Sequence, residues 1–275
     1  MKKRILILAI TIIILLISFY MFNFTRVASG TNSTSTALDW WPMSNHDVAH
    51  TSYSSSTGPA TNSTIWIYSI KGEWPSSAIS NGFVYVAGGD NVYALDASTG
   101  TLMWNYTARI PSTPTENNGV VYFGSDNECV YTLNATTGRL IWNYNSTGLQ
   151  DSPNVLSGPT YGDTAISSPT ILDGVVYVCS GDGNVFALNA TTGTLLWDYL
   201  AVGGSSSPAV SNGIIYFSSM VEGSYGKVYA LDAATGKLLW NFAPEFQTIQ
   251  GIRFLGSPAV AYGVVYGGHR TRFTL

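Results

Sequence analysis

Ala230-Leu-Asp-Ala-Ala-Thr-Gly-Lys-Leu-Leu-Trp240 is the stretch on which the reading of the fold turns, because the chain contains it four times. Ala94 to Trp104 reads ALDASTGTLMW, Thr132 to Trp142 reads TLNATTGRLIW, and Ala187 to Trp197 reads ALNATTGTLLW. Each copy spells a β-hairpin. An apolar strand runs into the turn, Asp96, Asn134, Asn189 or Asp232 opens it with a side chain able to accept from amides two residues on, and Gly100, Gly138, Gly193 or Gly236 supplies positive φ. Thr99, Thr137, Thr192 and Thr235 add a second hydrogen-bonding group before that glycine. The small Ala94, Ala187 and Ala230 and the large Trp104, Trp142, Trp197 and Trp240 suggest a knob and a socket, each indole lying flat against the alanine of a neighbouring unit. Burying a side chain of that size contributes on the order of 1.5–3 kcal/mol or more.

Working outward, each hairpin is preceded by Ser-Pro or a variant, a turn, a glycine and a β-rich run. Examples are Ser168-Pro-Thr-Ile-Leu-Asp-Gly-Val-Val-Tyr-Val178 and Ser207-Pro-Ala-Val-Ser-Asn-Gly-Ile-Ile-Tyr-Phe217, and another such unit begins at Ser257. The unit is therefore four short strands. The tryptophans stand 38, 55 and 43 residues apart. Four strands at a period near 40 mark a β-propeller blade.

On these residues the chain resembles the pyrroloquinoline-quinone (PQQ) repeat propellers, whose blade motif is A-x-D-x-x-T-G-x-x-x-W. The first and fourth copies match in full; Thr132 and Asn134 depart from the motif in the second, and Asn189 in the third. The resemblance covers roughly residues 41 to 266 and implies an all-β fold, a β-propeller of four-stranded antiparallel blades. About four and a half blades are expected (repeats about 74–107, 109–145, 165–200, 204–243 and 256–275), an incomplete ring beside the seven or eight blades usual in that family. The reading is of a truncated product, with an oligomer closing the ring as the other option. Thr64-Ile-Trp-Ile-Tyr68 resembles the last strand of a blade without its hairpin.

At the N-terminus, Met1-Lys-Lys-Arg4 precedes an apolar run to Phe24, long enough to span a bilayer as one transmembrane helix and longer than most signal-peptide cores. Residues 1–24 are thus expected to be a membrane anchor or a signal peptide, with the basic flank inside and the rest outside. The product is then a cell-membrane protein with an exterior ectodomain, or secreted if Val27-Ala-Ser-Gly30 is cleaved. Residues 25–39 read as a Ser/Thr/Asn-rich linker and 40–275 as the propeller. His46, Asp47 and His50 could be read as metal ligands, but the segment around them reads better as a plug at one end of the propeller. The loop from Asn145 to Thr164 and the insertion Met220–Gly226 read as surface loops.

Net charge is −4, or −7 without Lys2, Lys3 and Arg4, and no basic patch appears, which excludes nucleic acid as a partner class. Sequons at Asn32, Asn62, Asn105, Asn134, Asn145 and Asn189 are possible glycosylation sites. Cys129 and Cys179 read as unpaired strand residues, with a disulfide left open. Asp90, Asp126 and Asp182 recur in successive middle hairpins, where turn chemistry accounts for them and a shared cation is the sharper alternative. No catalytic, cofactor or metal residue is expected. The function expected is a non-catalytic scaffold at the cell surface binding a protein or glycan partner. One alternative is a fragment of a quinoprotein dehydrogenase, which the resemblance would equip with PQQ and Ca²⁺, although no adjacent cysteine pair and no C-x-x-C-H haem site occur. The second alternative is an envelope protein-assembly factor; no cysteine lies near the N-terminal segment to carry a lipid.

Overall fold

The computed structural model describes residues 41–55, 61–70, 75–146, 165–201, 204–220, 226–243, 253–254 and 256–270. The expected membrane segment, the linker with Asn32, residues 147–164, 221–225 and 271–275 lie outside the described residues. Among the described residues no helix is long and apolar enough to cross a membrane. The fold is all-β.

Runs of β-branched and aromatic residues after each glycine favour strands. The first four-stranded sheet is β1 (Ser76–Ser80), β2 (Phe83–Gly88), β3 (Asn91–Asp96) and β4 (Leu102–Thr107), in sequence order and antiparallel. The second is β5 (Thr115–Asn117), β6 (Val120–Gly124), β7 (Cys129–Asn134) and β8 (Leu140–Asn145), and the third β9 (Thr170–Leu172), β10 (Val175–Cys179), β11 (Asn184–Asn189) and β12 (Leu195–Leu200). The fourth carries an extra short strand: β13 (Gly204–Ser205) and β14 (Ala209–Ser211) both pair with β15 (Ile214–Met220), followed by β16 (Lys227–Asp232) and β17 (Leu238–Phe242). The fifth unit is a hairpin of β19 (Ala259–Ala261) and β20 (Val264–Tyr266). Beside it, β21 (His269–Arg270) pairs with β18 (Arg253–Phe254).

These sheets stack face to face, and the core lies between them. One layer joins Tyr85, Val92 and Trp104 of the first blade to Val121, Phe123 and Leu133 of the second. The next joins Tyr122 and Val130 to Ile171, Val176 and Phe186, and the third joins Tyr177 and Val185 to Ile215, Phe217 and Leu231. Middle strands are covered on both faces, so they read as continuous apolar runs instead of alternating ones. The inner strands follow one another in contact, β1 with β5, β5 with β9, β9 with β14 and β14 with β19, around a common axis. This is a propeller with an incomplete set of blades.

One expectation is corrected. Thr64-Ile-Trp-Ile-Tyr68 forms no ladder with any sheet, although it resembles the last strand of a blade. With no hairpin beside it, the segment is held by side chains: Trp66 reaches the first blade's outer turn, and Ile70 covers Gly88 so closely that an added Cβ would lie 2.6 Å from Ile70 Cγ2. Cys129 and Cys179 are free and buried in separate blades, as unpaired strand residues; burial raises both thiols above their ordinary value.

Candidate functional site

The turn of each repeat is built as its residue types dictate. Asp96 Oδ1 accepts from the amides of Ser98 and Thr99, at 3.0 and 2.8 Å, and from both of their hydroxyls. Asn134, Asn189 and Asp232 take the same amides in their own turns. Those bonds, led by the Ser98 hydroxyl, hold the Asp96 carboxyl down to about 2. Thr235 does the same for Asp232, whose carboxyl is also lowered.

The indoles dock elsewhere than the spacing suggests. Ala94, Thr132, Ala187 and Ala230 sit opposite Trp104, Trp142, Trp197 and Trp240 of the same sheet, one step before a bulge. Each docked tryptophan instead covers the turn of the next blade. Trp104 Nε1 donates to Ala135 O at 2.9 Å, Trp142 Nε1 to Ala190 O at 3.0 Å and Trp197 Nε1 to Ala233 O at 3.0 Å. Its ring lies on the turn glycine: a Cβ on Gly138, Gly193 or Gly236 would stand 2.5–2.7 Å from the indole. The socket is therefore the glycine together with the carbonyl of the residue after the Asx. Trp66 uses it too, donating to Ala97 O at 3.0 Å and lying over Gly100. Spacing reveals the repeat but not which atoms face each other.

Each repeat also holds a tyrosine partner that the motif leaves unmarked. Tyr85, Tyr122, Tyr177 and Tyr216, at one place in each second strand, lie 6.0–6.1 Å from the tryptophan of their own blade. Tyr122 and Tyr177 add their hydroxyls to the Ala190 and Ala233 carbonyls, at 3.4 and 3.2 Å. Their constant place, the third residue after Gly82, Gly119, Gly174 and Gly213, was the available signal.

The middle hairpins do not pool their carboxylates. Asp90 accepts from the Ile110 amide, Asp126 pairs with Arg109 at 3.2 Å, and Asp182 caps Asn184. Among the described residues no three of His, Cys, Asp and Glu converge as metal ligands.

Residues 41–50 instead run across the inner strands. The carbonyls of Trp41, Pro42, Val48 and Ala49 accept from the amides of Ile79, Glu116, Val210 and Val260, one in each of the first, second, fourth and fifth blades, at 2.6–2.8 Å. His50 reaches the third through Thr170. Asp47 shapes the segment. Burial opposes its ionisation, but bonds from the Thr51 hydroxyl and amide, the Ala49 amide and His46 outweigh that and hold its carboxyl low. Glu116, buried, ties two blades together: it accepts from Ser80 Oγ at 2.5 Å and Asn81 Nδ2 at 3.2 Å in the first, and from the Gly119 amide at 2.7 Å in its own.

Of the sequons, Asn62, Asn105 and Asn145 are exposed, whereas Asn134 and Asn189 are half-buried with Oδ1 engaged in the turns. On the outer strands, Met103, Ile141, Leu196 and Leu239, each just before a motif tryptophan, are about half exposed.

A PQQ-repeat family model, described as outer membrane protein assembly factor BamB, matches residues 55–166 and 154–266. No curated protein matches the chain. Among solved structures, BamB from Moraxella catarrhalis is 20% identical with a TM-score of 0.53, the match covering 70% of this chain and 57% of that one. Quinohemoprotein alcohol dehydrogenase ADHIIG from Pseudomonas putida HK5 is 16% identical with a TM-score of 0.59, over 85% of this chain and 45% of that one. Sqt1 from Saccharomyces cerevisiae is 14% identical with a TM-score of 0.52, over 68% and 53%. The chain thus spans about half the length of these structures. At such identities the likeness is one of fold.

Proposed function

The chain belongs to the PQQ-repeat family described as outer membrane protein assembly factor BamB, and from that premise we propose that it is a non-catalytic propeller scaffold, held outside the cell by its N-terminal segment, that binds a protein or glycan partner. The observation that carries this reading is the segment 41–50. It takes up the inner-strand amides of four blades, and His50 occupies the space beside a fifth inner strand. What the repeat leaves open is its outer rim, where Met103, Ile141, Leu196 and Leu239 recur as half-exposed apolar groups. Such a rim suits recognition of another chain better than chemistry on a small molecule.

The quinone and calcium that part of the fold family carries do not fit the donors found among the described residues. A calcium beside a quinone needs several converging oxygen donors. Here Asp90 is engaged by the Ile110 amide, Asp126 by Arg109 and Asp182 by its own turn, and the inner-strand hydroxyls of Thr115 and Thr170 are bonded to Pro169 O and Pro208 O. The deciding experiment adds PQQ and Ca²⁺ to the protein and follows absorbance and thermal midpoint. No saturable change is expected; saturable binding with dye-linked alcohol or sugar oxidation would overturn the reading.

A second reading is favoured by the family description itself: a factor in assembling envelope proteins, with an unfolded or partly folded protein as its partner. It differs from a static scaffold in turnover. An assembly factor accelerates folding of a client at substoichiometric ratio, whereas a scaffold acts only stoichiometrically.

A further inference from the structure

His50 lies where three blades meet and is 3% exposed. Its Nδ1 is 3.2 Å from the carbonyl oxygen of Pro258, and its Nε2 is 3.3 Å from the hydroxyl of Thr170. The inner strands show why an imidazole stands there. Thr115 Oγ1 donates to Pro169 O of the next blade at 2.7 Å, and Thr170 Oγ1 donates to Pro208 O of the one after at 2.6 Å. In the fourth blade the equivalent residue is Ala209, which has no hydroxyl to offer Pro258 O. His50 Nδ1 supplies that donor from the crossing segment.

The proton count then becomes tight. A carbonyl only accepts, so Nδ1 must carry hydrogen. The Thr170 hydroxyl has one hydrogen, which the shorter contact assigns to Pro208 O, leaving a lone pair facing Nε2. Making all three bonds at once requires hydrogen on both ring nitrogens, hence an imidazolium. A neutral ring leaves one bond unmade; a charged ring makes them all but is desolvated.

The surrounding charges decide which state the fold holds. The blades present His50 with neutral groups, Thr170, Pro208 and Pro258. The charge acting on it is Asp47 of its own segment, whose carboxylate already accepts from Ala49 and Thr51; His46, the other titratable group of that segment, lies against Asp47 and Trp41. Burial lowers the His50 pKa, and the Pro258 bond and Asp47 only partly restore it. A buried charge without a free counter-ion outweighs one added hydrogen bond.

We propose that His50 is a proton-operated latch: neutral, it fastens residues 41–50 across the five inner strands, and on protonation the segment comes away from them. The sign follows from linkage. A histidine whose folded pKa lies below its free value takes up its proton more readily once released, so the latch is fully engaged above about pH 6.5 and loosens as pH falls below it.

Amide hydrogen exchange on the full chain tests this at about pH 8 and about pH 5, either side of the ordinary imidazole value, with rates corrected for intrinsic exchange. The amides of Ile79, Glu116, Val210 and Val260 are expected to lose protection together, about tenfold or more, while ladder amides such as Tyr122 and Val176 keep theirs. In His50→Gln the four amides should respond equally at both pH values. Unchanged protection, a uniform loss across all strands, or a loss that persists in His50→Gln would overturn the latch. Direct titration of the His50 ring by NMR in the unmodified protein gives an independent reading. A midpoint at or above the free-imidazole value would also sink it.

Discussion

Gly138 and Gly119 have nearly the same backbone, with φ of +67° and +79°, yet an added methyl would meet different surroundings. At Gly119 there is open space; at Gly138 the Cβ would sit 2.7 Å from the Trp104 ring. Gly119→Ala should therefore cost about 1–2 kcal/mol, the left-handed backbone alone. Gly138→Ala should cost about 3 kcal/mol or more, because the indole must lift off its socket as well. Equal urea midpoints for the two variants would show that docking contributes little. The carboxylates of the turns make a separate prediction. Asp96 and Asp232 titrate below their ordinary value, Asp96 at about 2, so the stability they lend is complete above about pH 4 and is lost as pH falls toward 2. Thermal midpoints of Asp96→Asn with Asp232→Asn should lack that part of the acid dependence, since Asn134 and Asn189 hold the same turns without charge. Those roles were legible from residue type alone, because an Asx turn is closed within five residues. The socket was not. Whether an indole meets an alanine or a glycine with its neighbouring carbonyl depends on the bulge after Ala94, Thr132, Ala187 and Ala230, which sequence spacing does not encode.

At the scale of the element, the middle strands were legible because both of their faces are buried, giving continuous apolar runs such as Val175-Val-Tyr-Val-Cys179. Thr64-Ile-Trp-Ile-Tyr68 resembles a blade's last strand and is not one, since a strand needs a partner and this segment has only sockets for Trp66 and Ile70. The inner strand β5 shows the converse, a polar residue where its neighbours carry Ile79, Ile171, Val210 and Val260. Glu116 is satisfied there by donors only: Ser80 and Asn81 on one oxygen, Gly119 on the other. Glu116→Gln must turn its amide NH₂ toward one of those donors, leaving a buried pair unsatisfied at a cost of about 1–3 kcal/mol. The loss should appear in denaturant unfolding as a lower midpoint with the first two blades separating early. Glu116→Gln with an unchanged midpoint would show that the carboxylate is not what joins β1 to β5.

For the molecule as a whole, the tryptophans form a series in which each blade is closed by an indole from the element before it. Trp66 closes the first blade, Trp104 the second, Trp142 the third and Trp197 the fourth. Trp240 stands at the same place in the repeat but is 41% exposed, against 8% for Trp104, and among the described residues no carbonyl receives its N–H. The series was visible in the sequence as a period; its unequal energetics were not, because they depend on the neighbour each blade has in space. A Trp→Phe substitution keeps most of the apolar area and removes the indole N–H. At Trp104 it strands the carbonyl of buried Ala135, which should cost about 1 kcal/mol or more, whereas at Trp142 and Trp197 it removes one of two donors. Tyr122 and Tyr177 still reach Ala190 and Ala233, so the cost should be larger at Trp104, whose acceptor Ala135 has no such second donor among the described residues. Trp240→Phe should be close to neutral. It should also lower the acrylamide quenching of the protein's fluorescence more than Trp104→Phe does. If instead Trp240→Phe destabilised as much as Trp104→Phe, the fifth unit would have to cover that indole in solution, and the fourth blade would be closed like the three before it.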